Sequence, residues 1–190
     1  MRTKAILLMS VFVLGLGLST QAQVIIQANG VVTAGRLPSG AWAGVQAGDP
    51  AYMVFVVPER GTVLAPGQAE GYLILTESFV MAINDRAVGL GESLVPPAAF
   101  VSNDYPRADA FVMSPDVIRL SEPGYGLQFE LHDSSGAVWN SPLVICIPGI
   151  YGAQQFDDRE WSVLFGGGGL SLSVTELIIY PLPEPPNCAG

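Results

Sequence analysis

The sequence predicts an all-β chain, an antiparallel two-sheet sandwich of jelly-roll-like type, on three observations. Beyond residue 22 apolar side chains recur with a period near two rather than 3.6. Gly and Pro, 22 and 15 of them in 190 residues, break the apolar stretches at intervals that suit short strands rather than helices. Strand follows strand with no segment fit for a crossover helix, which favours a sandwich over a closed barrel.

Taken in order, Val24–Gln27 and Gly30–Arg36 read as a hairpin about Asn29-Gly30, the strongest tight-turn dipeptide in the chain. Leu37–Pro50 reads as a loop. Ala51–Val57 is continuously apolar, as suits a strand covered on both faces; Gly71–Thr76 and Ser78–Asn84 follow, the latter ending at Asn84-Asp85, and these three are expected centrally. After the Gly- and Pro-rich stretch 89–97 come Ala108–Met113 and Val117–Leu120. Leu127, Phe129 and Leu131 then alternate with Gln128, Glu130 and His132, so one face is buried and one wet. Asp133-Ser134-Ser135-Gly136 turns that strand into Ala137-Val138-Trp139. Leu143–Ile147 and Trp161–Phe165 add strands. Leu170–Tyr180, entered through Gly166–Gly169, sets Leu170, Leu172 and Val174 against Ser171, Ser173 and Thr175. About ten strands result.

Residues 1–22 carry the marks of a secretory signal peptide. Arg2 and Lys4 precede an apolar run from Ala5 to Leu18, and small residues at Thr20 and Ala22 place cleavage before Gln23. The run is shorter than the roughly 20 residues of a membrane span, and no Cys near the cleavage site is available for a lipid. The expected organisation is a leader (1–22), one β-sandwich domain (23–180) and a Pro-rich tail (181–190). Two of the eight basic residues leave with the leader and none of the 17 acids does, so the formal charge deepens from −9 to −11. Nucleic acid and anionic membrane surfaces are poor candidates as partners, because phosphate binding needs clustered Lys or Arg.

A domain of this length buries roughly 70% of its unfolded surface and needs no staple. Cys146 and Cys188 nonetheless sit in a disulfide-permissive compartment, and pairing them would constrain the unfolded chain by about 4 kcal/mol. The alternative is that Cys146 is a small buried hydrophobe in its apolar run and Cys188 stays loose in the tail.

No catalytic constellation emerges, and the chain reads as noncatalytic. The only imidazole, His132, lies on the wet face of its strand beside Glu130 and Asp133; no Gly-x-Ser-x-Gly occurs, and Gly166–Gly169 lacks the Lys of a phosphate loop. Glu130 and Glu176 are acids that a glycosidase would need in opposed pairs, but nothing sets two acids across a cleft. Calcium is a possible ligand, and Asn103, Asp104 and Asp109 supply hard oxygens around one loop. Glycan is the other: Trp42, between Gly40 and Gly44, and Tyr105 are the aromatics expected to stand exposed for stacking on sugar rings, whereas Trp139 and Trp161 at strand positions read as core.

Three segments, Gly40–Pro50 (GAWAGVQAGDP), Ser102–Asp109 (SNDYPRAD) and Phe129–Gly136 (FELHDSSG), with Pro183-Glu184-Pro185, resemble the secreted β-sandwich modules of exosortase-sorted bacterial proteins. In that family the Pro-Glu-Pro signal continues into a transmembrane helix and a basic terminus. The resemblance implies an extracellular or periplasmic bacterial protein, in a family whose members mostly have no assigned activity. The expected role is structural or surface interaction, with an extracellular glycan or surface protein as partner; carbohydrate or calcium binding is the alternative.

Overall fold

The computed structural model describes residues 22–104, 108–114, 118–121, 124–165 and 168–182. The described residues form twelve strands: β1 (Gln23–Arg36), β2 (Pro50–Pro58), β3 (Thr62–Ala65), β4 (Ala69–Leu73), β5 (Val80–Ile83), β6 (Arg86–Val88), β7 (Ala98–Ser102), β8 (Asp109–Met113), β9 (Gly126–Asp133), β10 (Gly149–Gly152), β11 (Asp158–Phe165) and β12 (Gly168–Leu182). All belong to one antiparallel sheet, ordered β3-β4-β7-β8-β9-β11-β12-β1-β2-β5-β6, with β10 added beside β12. The sheet curls into a half-barrel. The all-β antiparallel class thus stands, built as one continuous hydrogen-bonded sheet.

The expected first hairpin is not formed. β1 runs unbroken through Asn29-Gly30, because β12 pairs along one side of it and β2 along the other. The dipeptide instead marks a bulge: Asn29 lies opposite Glu176 and Gly30 opposite Val174, leaving Thr175 as the extra residue. A Cβ at residue 30 would collide with the Ser173 carbonyl oxygen and come to 2.8 Å from the Trp161 ring, so the glycine answers to close packing rather than to a turn. The bulge also switches the inward side of β12. Leu170, Leu172 and Val174 face in before it; Leu177 and Ile179 face in after it. The tight turn of this region lies instead between β5 and β6, where Ile83 pairs with Arg86 and Asn84 takes a left-handed φ of 52°.

None of the three strands expected at the centre lies there: β2 is third from one end of the sheet, and β4 and β5 lie second from opposite ends. The connection between them spans the mouth of the curl: Leu75 N–H donates to Val56 O (2.9 Å), and Val56 N–H donates to Ser78 Oγ (2.8 Å). Inside, Phe55 on β2 meets Phe111 on β8 with centroids 6.4 Å apart, and Phe129 and Trp161 continue the column edge-to-face. Each such side chain, fully withdrawn from water, contributes about 1.5–3 kcal/mol.

Three further expectations are corrected. Ala137–Trp139 does not pair with β9, whose neighbours are β8 and β11; the chain turns inward to bury Trp139. Leu143–Ile147 forms a 3-10 turn over Val144–Cys146, since a short apolar run fits any buried segment, not only a strand. Where Val117–Leu120 was expected as a strand, the described residues make only isolated bridges, Arg119 to Gly126 and Leu120 to Leu90. β12 also runs to Leu182, with Pro181 opposite Val24, two residues past the expected end of the domain.

Candidate functional site

Strand alternation turns the polar side chains to the convex face, and there they form two groups. The first lies on β2, β1, β12 and β10. Register aligns Tyr52, Asn29 and Glu176 in one row that ends at Gly152. Gln27 Nε2 donates to Asn29 Oδ1 (2.8 Å), and Asn29 Nδ2 donates to Glu176 Oε1 (2.7 Å), so a relay of amides fixes the carboxylate. The Gln154 amide occupies the space that a Cβ at Gly152 would need. Tyr52 is 41% exposed, and on the same face Ile150 and Tyr180 are 69% and 59% exposed. Exposed apolar side chains gathered on one sheet face are the kind of surface a partner covers when they are contiguous.

The second group lies on β9 and β11. Glu130 and Glu160 are direct cross-strand partners, a like-charge pairing that destabilises unless bridged. Gln128 Nε2 bridges them, donating to Glu130 Oε1 (3.1 Å) and Glu160 Oε2 (3.0 Å). His132 Nε2 lies 3.4 Å from Glu130 Oε2. The sequence put Glu130 and His132 on one face; Glu160 was missed because a cross-strand partner is set by register, which no local pattern displays. These acids stand on an open face, not across a cleft.

The expected calcium residues do come together, but around backbone N–H groups. Asp109 is 0% exposed; its Oδ2 accepts from Trp139 N–H (2.8 Å) and its Oδ1 from Asp104 N–H (3.2 Å). The Asn103 amide, oriented by its partners, donates to Trp139 O (2.9 Å) and to Asp109 Oδ1 (3.3 Å). Asp109 therefore organises a corner rather than offering free oxygens. Burial pushes its carboxyl up, and the N–H donors of Trp139 and Asp104 offset only part of that. Its cross-strand partner Asp133 behaves oppositely. Burial alone would raise it, but the Ser135 hydroxyl and the N–H groups of Ala137 and Ser135 outweigh burial and hold the carboxyl below its ordinary 3.8. Among the described residues no three His, Cys, Asp or Glu side chains are grouped to hold a metal.

Trp42, expected exposed, is fully buried. Its Nε1 donates to Arg86 O (2.7 Å) and its ring stacks on Tyr125 at 5.9 Å; the glycines around it allow the loop to fold inward, so it has no face left for a sugar. Tyr105, Cys188 and Pro183-Glu184-Pro185 lie outside the described residues. Cys146 is disulfide-bonded. It lines a shallow groove of about 470 Å³ with Trp139, Asn140 and Tyr151. Trp139 is core, as expected, its Nε1 donating to Ser102 O (2.6 Å), and Trp161 is likewise buried. Among the described residues no helix is long and apolar enough to cross a membrane.

Compared with family models, curated proteins and solved structures, the chain matches none.

Proposed function

We propose that this chain is a secreted, noncatalytic β-domain with a surface-interaction role, its curled sheet a variant of the jelly-roll-like sandwich. The observation that carries the reading is the concentration of Tyr52, Ile150 and Tyr180 on one outer sheet face, where a flat surface suits an extended extracellular glycan or a surface protein. Contact between Phe55 and Phe111, distant in strand order, supports treating the two ends of the sheet as facing layers. The leader-like residues 1–22 and the similarity to Pro-Glu-Pro-anchored modules belong to the same reading. Placement of Glu130 and Glu160 on an open face supports a noncatalytic role, since glycoside cleavage needs acids that flank the scissile bond.

Export is tested by N-terminal sequencing of protein recovered outside the cytoplasm, which should begin at Gln23. Interaction is tested by adsorption to the producing cell's extracellular material: a triple variant, Tyr52→Ser, Ile150→Ser and Tyr180→Ser, should lose it. Untrimmed protein in the cytosol, or adsorption indifferent to the triple variant, overturns the reading. For calcium at Asn103, Asp104 and Asp109, the ion would have to displace the N–H donors on Asp109. The expected melting curve is unchanged by Ca²⁺; a stabilisation of about 2.7 kcal/mol at 100 times a dissociation constant would restore a calcium site.

A further inference from the structure

We infer that the row Tyr52, Asn29, Glu176 and Gln154 on the outer face is a binding site for a neutral pyranose chain, Tyr52 carrying a sugar's apolar face and the other three its hydroxyls. The inference rests on the interaction reading above and names its ligand and its residues. Cross-strand neighbours stand roughly 5 Å apart. A row across four strands, from Tyr52 to Gln154 beside Gly152, therefore spans roughly 15 Å, about the length of a trisaccharide, with an aromatic at one end and polar groups along the rest.

Geometry prepares the row before a ligand arrives. The bulge at Thr175 sets Glu176 opposite Asn29; without the extra residue, the carboxylate would point inward. The donors of Gln27 and Asn29 run in one direction toward Glu176, which fixes one carboxylate oxygen and the orientation of both amides. One N–H of Asn29 Nδ2 and the second oxygen of Glu176 remain beyond that relay. A donor beside an acceptor is the pattern that two neighbouring sugar hydroxyls satisfy. Gly152, with no side chain, leaves room for the Gln154 amide to close the far end. Little ordering remains to be done on binding, which favours affinity from a few contacts. A lone carboxylate in a neutral row does not select an anionic sugar, and no cation in the row would hold one.

The test is a glycan array probed with the folded protein and with single variants at exposed positions. Tyr52→Ala, Glu176→Gln and Gln154→Ala should each weaken binding about tenfold, while Leu73→Ala, an exposed position on β4 away from the row, should leave it unchanged. Circular dichroism checks that each variant folds; if Glu176→Gln does not, Tyr52→Ala and Gln154→Ala carry the test. Binding kept in Tyr52→Ala and Gln154→Ala, or lost in Leu73→Ala, overturns the row. So does adsorption of wild type to extracellular material with no neutral glycan bound on the array, and in both cases the interaction reading survives. A wild type that adsorbs to nothing fails that reading instead, and the row with it.

Discussion

The two ends of the sheet are protected in different ways. At one end β6 is covered: the Leu37–Asp49 loop folds over it, Trp42 Nε1 takes the Arg86 carbonyl, and the Arg86 guanidinium donates to Ala41 O (3.1 Å) and Ala43 O (2.9 Å). At the other end β3 is bare, pairing β4 alone, with Val63 and Leu64 more than half exposed. What guards β3 is shortness and irregularity. It has four residues, and Leu64 is the extra residue of a bulge against β4, so the edge offers little straight backbone to another chain. The covered edge depends on a buried side chain laid over it, whereas the short bulged edge has no such cover. The difference predicts where substitution is costly.

Removing the cover should have the largest effect. Trp42→Ala deletes a fully buried indole and frees the Arg86 carbonyl, an expected loss of about 3–5 kcal/mol. Denaturant unfolding would measure it, with faster exchange of the β6 amides; a loss under about 1 kcal/mol would break the contrast. Next is Glu70, which anchors the β3 hairpin from beneath by accepting from Gly61 N–H (3.2 Å) and the Tyr72 hydroxyl (2.8 Å). Glu70→Ala leaves that part-buried N–H unpaired and should cost about 1 kcal/mol, read as exchange gained at residues 61–65 and not at β6.

Acid should remove the contribution of Asp133 on β9, on the side of the sheet toward β3. A carboxyl whose folded pKa is depressed stabilises above its unfolded value and loses that contribution as pH falls through the folded one. Asp109, raised, runs the other way: its contribution is present at low pH and is lost as pH rises through its folded value. Melts taken from neutral to acid pH should therefore be flatter for Asp133→Asn than for wild type, and an unchanged slope would remove Asp133 from the account. The smallest effect is expected at Leu64→Lys, within about 0.5 kcal/mol, since that side chain is already in water; a large loss would mean that β3 depends on a cover after all.

Local pattern was legible wherever it coincides with burial. β9 shows it most plainly, with Leu127, Phe129 and Leu131 inward and Gln128, Glu130 and His132 outward, because neighbours on both sides hold one parity along its length. Asn29-Gly30 misled because a bulge and a tight turn both favour glycine, and the choice between them belongs to Ser173 and Trp161, far off in sequence. Trp42 misled for a similar reason: small neighbours allow a loop to expose a ring or to bury it, and the carbonyl that receives its N–H is 44 residues away. Tyr52 was hidden inside an apolar run read as covered on both faces, although one face of β2 is open at that point.

Composition and alternation alone thus determined an all-β, antiparallel, acidic chain, because a period of two and frequent Gly and Pro act within a few residues of themselves. Only the tertiary structure decided which strands adjoin, that β4 and β5 part to opposite ends, and that Tyr52, Asn29, Glu176 and Gln154 share a row. Those outcomes depend on cross-strand register and on one bulge, and register is fixed by pairing between segments as far apart as Gln23 and Leu182, a distance over which no local preference extends.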